Sequence, residues 1–210
     1  MKKQILSLIA VALCALNAAD TVVKLPEPNK KGGMPLMEAL ANRKSSRAFN
    51  SKAAIQPDVL GDLLWATWGF NRPGLRTAPT AINLQELDVY VLKEDGCWLY
   101  DAEKHALVRT VAKDLRPATL GKLRQNFVLD APVTLAIVAD KAKATSLGNK
   151  DFSEIDSGYL SQNIYLYCAS AGLATVVRAS FPPTLAKEMG LKDTQQVTLV
   201  QCVGWPDKED

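Results

Sequence analysis

The segment of this chain best equipped for chemistry is a run of five polar residues, Arg43-Lys44-Ser45-Ser46-Arg47. It combines three cations and two hydroxyls where a predicted helix gives way to a loop. A guanidinium can hold a phosphate through two parallel hydrogen bonds, and a serine hydroxyl adds a neutral one. The alternative is a solvated helix end, where the helix dipole favours cations. The five residues alone leave both interpretations open.

Two later segments offer further polar groups. A loop rich in Pro, Thr and Gly covers residues 71–85 and contains the amides of Asn83 and Gln85. A predicted strand over residues 174–178 follows Gly172. By themselves, these segments are also compatible with ordinary turn chemistry and with a plain buried strand.

Taken in order, the three segments resemble the motifs of the nitroreductase family of flavoenzymes. Residues 43–49 read Arg-Lys-Ser-Ser-Arg-Ala-Phe and are similar to the family's R-R-S-x-R-x-F opening. Residues 79–85 are similar to its P-S-x-x-N-x-Q loop. The Asn-Arg-Pro at residues 71–73, ahead of Arg-Thr-Ala-Pro, resembles the branch that contains azoline-oxidising dehydrogenases. The resemblance covers nearly all of residues 34–206.

This resemblance implies FMN as the cofactor. It places Arg43 and Ser45 on the flavin phosphate, with Lys44 in the same binding segment and Arg47 at the ring. Asn83 and Gln85 would hydrogen-bond the polar edge of the isoalloxazine. Backbone N–H groups near flavin N5 would come from the segment that follows the predicted long helix: Val177, Arg178, Ala179 and Ser180.

The end of the chain departs from the family pattern. Many relatives carry several basic residues beyond the final Gly-Tyr-Pro, and these complete the phosphate site. Here Gly204-Trp205-Pro206 is followed by one basic residue, Lys208, as the only candidate. We therefore expect the segment at 43–47 to contribute more of the binding than in most relatives. The role of Trp205, whether on the flavin or on the sheet, stays open.

The elements that must position these groups are interspersed helices and strands. Apolar spacing and Pro and Gly signals predict helices from Met34-Pro35, from Pro57, around 119–127, over 153–171 and after Pro182-Pro183. They predict strands over 87–92, 97–100, 132–139, 174–178 and 197–203. A capping box at Ser153 and Asp156 and a C-cap at Gly172 would bound the longest helix. The class is α+β, with a mixed, mainly antiparallel sheet flanked by helices. The resemblance implies a nitroreductase-like fold and a homodimer with FMN at its interface.

The N-terminus predicts export. Lys2 and Lys3 precede the apolar run 5–16 and the small residues at 17–19, which is the pattern of a secretory signal. The run is too short to span a bilayer. Lipid anchoring at Cys14 is disfavoured because bulky Leu13 precedes it. The predicted organisation is a signal at 1–19, a linker or arm at 20–33 and an FMN-binding domain at 34–210, in a periplasmic or secreted protein.

Composition excludes several classes of function. The chain has 25 basic and 22 acidic residues, and removal of Lys2 and Lys3 leaves 23 against 22, so no basic field would attract nucleic acid. The cysteines at 97, 168 and 202 show no spacing typical of a zinc site. His105 is the single histidine, and its polar surroundings predict a solvated loop residue without a catalytic role. A cofactor is therefore expected to carry the chemistry.

The leading hypothesis is an FMN-dependent oxidoreductase. It would move two electrons as hydride between a reduced donor and a small organic acceptor. The donor and the acceptor would use the same flavin face in turn. Because the pools of NADH and NADPH are cytoplasmic, the identity of the electron donor of an exported enzyme stays open. The alternatives are an exported flavin dehydrogenase acting on a peptide or small metabolite, and a non-catalytic module that binds flavin or a partner.

Overall fold

The computed structural model describes residues 21–121, 125–143 and 150–207, so the predicted signal and Lys208 lie outside the described residues. Nine strands are described: β1 (Val22–Lys24), β2 (Phe70–Arg72), β3 (Leu75–Arg76), β4 (Leu87–Lys93), β5 (Gly96–Asp101), β6 (Ala106–Val111), β7 (Val133–Asp140), β8 (Ala174–Arg178) and β9 (Gln195–Gly204). The α-helices of the same part of the chain are α1 (Leu36–Asn42), α2 (Pro57–Trp68), α3 (Phe127–Asp130), α4 (Ser153–Ala171) and α5 (Leu185–Glu188).

Seven strands form the central sheet, in the order β1-β6-β5-β4-β7-β9-β8. The predicted α+β class with a mainly antiparallel sheet is confirmed, and each of the six pairings described in this sheet is antiparallel. Strands β2 and β3 form a separate hairpin. None of the helices in the described ranges is long and apolar enough to cross a membrane.

The central strand β7 is buried on both faces, as its continuous apolar run predicts. Its side chains alternate between two cores because successive residues of a strand point to opposite faces. Leu135 and Ile137 join the core built by α2 and α4, whereas Ala136 and Val138 join the core built by α5. The face that carries α2 and α4 is the one against which the candidate site is built.

Local signals predicted α2 and α4 closely. Helix α2 ends at Gly69, and Gly172 after α4 has the left-handed φ of 72° that a C-cap glycine supplies. The predicted capping box is wrong, because Phe152 occupies the N-cap position. The Ser153 N–H bonds the side chain of Asp151, and Asp156 accepts a hydrogen bond from the loop at residue 81.

The predicted helix around 119–127 is also wrong in its described part. A 3₁₀ turn covers Pro117–Thr119, and helix α3 starts only at Phe127. Between them, Gly121 passes so close to β8 that an added Cβ would lie 2.9 Å from the Ser180 carbonyl oxygen. Gly121 therefore lies beside the segment that follows β8 and is not part of a helix.

The predicted arm at 20–33 contains strand β1, which pairs with β6 at the sheet edge. The solvated-loop interpretation of His105 is wrong. This residue precedes β6, is only 9% exposed, and its Nδ1 lies 2.9 Å from the Tyr100 hydroxyl. Burial lowers the pKa of the imidazole. The three cysteines of the described ranges are buried and free, so none of them forms a disulfide there.

Candidate functional site

The segment at 43–47 lies along the edge strand β8. The Ser46 N–H donates to the Thr175 carbonyl oxygen at 2.9 Å, which fixes the segment against the strand. Ser46 is buried, whereas Ser45 on the opposite side of the extended chain is exposed. The Ser45 hydroxyl lies 2.7 Å from the hydroxyl of Tyr165 on α4. The predicted binding segment is therefore held by both the sheet and the longest helix.

The three cations of this segment have no acidic partner among the described residues. Arg43 lies over the ring of Tyr165, with Cζ 5.4 Å from the ring centre, and Arg47 lies over Phe127 at 5.9 Å. Within the described ranges, none of Arg43, Lys44 and Arg47 forms an ion pair. Three uncompensated positive charges within five residues favour an anionic ligand. A cavity of about 210 Å³ adjoins Lys44, with Ser46 and Tyr165 also in its wall.

The end of β8 leaves the Ala179 backbone N–H without a partner among the described residues. The Val177 N–H already donates to the Tyr165 hydroxyl at 3.1 Å, so it is engaged within the protein. Because β8 is an edge strand and alternate N–H groups face outward, Ala179 presents the next outward N–H. Ala179 is exposed, and its N–H has no partner in the described parts of the chain. Of the predicted backbone donors, Val177 is thus engaged within the protein, whereas Ala179 is available to a ligand.

The Arg178 side chain points the other way, into the protein, and is 6% exposed. Its guanidinium donates to the Thr119 carbonyl at 3.2 Å, to the Thr119 hydroxyl at 3.0 Å and to the Ser180 carbonyl at 3.1 Å. These bonds tie the end of β8 to the turn at residues 117–119. Arg178 therefore positions the strand end, and its side chain is not placed to meet a ligand.

The loop that carries Asn83 and Gln85 has an unusual backbone. Within it, residues other than glycine adopt positive φ: Ile82 (44°), Asn83 (59°) and Gln85 (52°). The Gln85 side chain is fully engaged, because it accepts from Arg76 Nε at 2.9 Å and donates to the Gly74 carbonyl and to Asn83 Oδ1. Gln85 therefore orders the loop, and Asn83 keeps an exposed amide nitrogen with no partner in the described ranges.

Arg76 is a site residue that the sequence did not single out. Its Cζ lies 4.8 Å from the Trp68 ring and 3.9 Å from the Phe70 ring, and Nη1 donates to the Trp68 carbonyl. Burial lowers the pKa of the guanidinium. Its place in the Arg-Thr-Ala-Pro motif was the available signal. It connects Gln85 to the core through Trp68.

Helix α4 joins the two halves of the site. The Ala81 N–H bonds Asp156 in the first turn, whereas Ser45 meets Tyr165 nine positions later. Nine residues of α-helix rise by about 14 Å. A ligand that reaches both ends must therefore be elongated, with an anionic group at the Ser45 end.

The last described residues pack beside the 43–47 segment. The Asp207 N–H donates to the Ala48 carbonyl at 3.2 Å, next to Arg47 in the chain. The Trp205 side chain is engaged away from this segment, because its Nε1 donates to the Ala54 carbonyl and its ring packs on the core.

Comparison with known proteins agrees with this geometry. The sequence profile of the nitroreductase family matches residues 40–205. A nitroreductase by name from Methanocaldococcus jannaschii is 29% identical over 197 residues, covering 88% of this chain and 97% of that protein.

Two solved structures share the fold. A nitroreductase structure from Ralstonia eutropha has a TM-score of 0.83 and 38% identity, over 90% of each chain. An FMN-dependent nitroreductase from Clostridium difficile has a TM-score of 0.58 and 19% identity, over 83% of this chain and 89% of that one. Since the family profile spans most of the chain and the fold agrees, this protein belongs to the nitroreductase family.

Proposed function

We propose that this protein is an oxidoreductase that binds FMN and uses it to move two electrons as hydride between a reduced donor and a small organic acceptor, with one flavin face serving both in turn. The observation that carries the proposal is the cluster of three uncompensated cations beside Ser45 and Tyr165. The C. difficile neighbour, described as FMN-dependent, adds support.

The described residues fit the cofactor at each end. Arg43 and the Ser45 hydroxyl would hold the phosphate, with Lys44 and Arg47 adding positive potential. The free Ala179 N–H and the amide nitrogen of Asn83 would donate to the polar atoms of the ring, where preorganised donors favour the reduced form. Gln85, Val177, Arg178 and Ser180 would shape the site around them. Lys208 stays a proposed phosphate ligand.

Purified residues 20–210 test this proposal directly. We expect the protein to be yellow as isolated, or to rebind FMN, and the bound flavin to bleach anaerobically with NADH or NADPH. A colourless protein that does not rebind FMN would contradict both enzyme hypotheses. A yellow protein that neither nucleotide bleaches would favour the alternatives, an exported dehydrogenase acting on a peptide or small metabolite, or a flavin-binding module without turnover.

We further propose a homodimer formed through the joined face of α1 and α4, with FMN at the interface. Helix α1 packs on α4, and large apolar side chains on the two helices are exposed: Leu36, Met37, Ile155 and Tyr159. An exposed apolar patch of this kind is typical of a protein interface.

Substitution of Ile155 by Glu should therefore convert the dimer to a monomer in sedimentation velocity, because a buried unpaired carboxylate opposes association. Val22→Glu is the matched control, since Val22 is similarly exposed on β1 at the far edge of the sheet. A wild-type monomer at all concentrations, or an Ile155→Glu variant that stays dimeric, would argue against this interface.

Export is also proposed, from the charge and apolar pattern of residues 1–19 alone. The mature protein isolated from its native cell should begin near residue 20. N-terminal sequencing that finds Met1 retained would contradict cleavage. The azoline-oxidising branch and the donor remain proposals that the bleaching experiment addresses.

A further inference from the structure

The hydroxyl of Tyr165 lies where the segment at 43–47, strand β8 and helix α4 meet. Tyr165 is 8% exposed, so the partners of its hydroxyl must come mainly from the protein. Two partners are described: the Val177 N–H at 3.1 Å and the Ser45 hydroxyl oxygen at 2.7 Å. The direction of the second hydrogen bond decides what Ser45 can offer to a ligand.

The contact with Val177 fixes this direction. A backbone N–H can only donate, so the Tyr165 oxygen accepts from Val177. If Ser45 also donated to this oxygen, the single proton of Tyr165 would have no acceptor among the described residues. An unpaired buried donor costs free energy, so the Tyr165 proton is donated to Ser45.

The Ser45 hydroxyl is thereby set as a donor toward the outside of the protein. A serine hydroxyl has one proton, and its oxygen already accepts from Tyr165. The Ser45 side chain is exposed, and no acceptor in the described chain takes its proton. A ligand group that offers oxygen acceptors and a negative charge suits this donor, because the cations Arg43, Lys44 and Arg47 surround it.

The ring of the same tyrosine supports Arg43. The Arg43 Cζ lies 5.4 Å from the centre of the Tyr165 ring, within the range in which a guanidinium is attracted to the face of an aromatic ring. Tyr165 thus contacts both of the predicted phosphate ligands, one through its hydroxyl and one through its ring.

We propose that Tyr165 is a positioning residue for the phosphate of the ligand. The Val177 N–H donates to its oxygen, its own proton goes to Ser45, and the Ser45 proton is presented to a phosphate oxygen. The inference rests on the proposed function for the identity of the ligand as FMN. The direction of the hydrogen bonds from Val177 through Tyr165 to Ser45 is a property of the chain itself.

Tyr165→Phe tests this hydrogen-bond chain, because it removes the hydroxyl and keeps the ring beside Arg43. The Kd of FMN should rise by about threefold to tenfold, the loss of roughly one hydrogen bond, while the Kd of riboflavin stays unchanged. Combined with Ser45→Ala, the same change should alter the Kd of FMN by less than about twofold, because the two residues act as one unit.

Tyr167→Phe is the matched control. Tyr167 lies on the same helix, and its hydroxyl donates to the Val59 carbonyl at 3.2 Å, away from the segment at 43–47. This variant loses the same atom and should bind FMN as wild type does. Equal losses from Tyr165→Phe with and without Ser45 would show that Tyr165 does not act through Ser45, and would overturn the proposal.

Inorganic phosphate separates this proposal from the proposed function. Urea unfolding of the flavin-free protein is compared in phosphate and in chloride at equal ionic strength, since an ion that binds only the folded state raises its stability. Phosphate should stabilise wild type and Tyr167→Phe more than Tyr165→Phe. This result in a protein that does not bind FMN would support the role of Tyr165 and contradict the flavin function. If wild type binds FMN and Tyr165→Phe equals it with both probes, the proposal is overturned and the proposed function stands.

Discussion

Replacement of Arg43 by alanine should weaken FMN binding by about ten- to a hundredfold, the loss expected for a charge-assisted hydrogen bond to a phosphate. Arg43 forms no ion pair in the described chain, so its charge is available to a ligand. Ser45→Ala should cost less, because it removes a neutral hydroxyl. The measurement is the Kd of FMN for the flavin-free variants, from quenching of flavin fluorescence.

Lys24→Ala is the matched control for this loss of charge. Lys24 is exposed on β1, at the opposite edge of the sheet from β8. The Lys24→Ala substitution removes the same unit charge from the protein as Arg43→Ala does. Any general electrostatic effect on FMN binding should therefore be shared by both variants. An Arg43→Ala affinity equal to that of Lys24→Ala would contradict the assignment of the phosphate to this segment.

Replacement of Trp68 by alanine should lower the free energy of unfolding by about 3–5 kcal/mol, as truncation of a large buried aromatic residue does. Trp68, the last residue of α2, is 2% exposed and packs in the core that α2 and α4 form with the sheet. Its ring also lies beneath Arg76, which bonds Gln85. We therefore expect the variant to lose FMN affinity as well as stability, although Trp68 is not a proposed ligand contact.

Urea unfolding and FMN titration check both parts of this prediction. Trp68→Phe, which keeps an aromatic ring beneath Arg76, should retain most of the affinity at a smaller loss of stability. Trp205→Ala is a second control, because Trp205 is only partly buried. A Trp68→Ala protein with full affinity for FMN would show that the Asn83 loop does not depend on this connection.

Local signals in the sequence were sufficient to predict the elements whose buried faces are visible in their own residue pattern. Helices α2 and α4 carry apolar residues at helical spacing and end at glycine, and β7 is a continuous apolar run. The predictions failed where contacts with a distant part of the chain determine the structure. Strand β6 and the burial of His105 depend on β1, which is more than eighty positions away.

The candidate site shows the same division. The motif residues Arg43, Ser45 and Asn83 could be identified from their order along the chain. The hydrogen-bond partners of the neighbouring groups could not be identified in this way, because Ser45 and Tyr165 are 120 positions apart. Tyr165 also accepts a hydrogen bond from the Val177 N–H. The burial of Glu86 and Asp156 is likewise a product of the fold, since each alone resembles an ordinary surface acid in the sequence.

A comparison of FMN with riboflavin tests the central claim most directly, because the two ligands differ only by the phosphate. We expect wild-type protein to bind FMN at least tenfold more tightly than riboflavin, which corresponds to about 1.4 kcal/mol or more. In Arg43→Ala this preference should largely disappear, while riboflavin affinity stays unchanged. If wild type binds both ligands equally, the segment at 43–47 is not a phosphate site, and the proposed mode of cofactor binding is wrong.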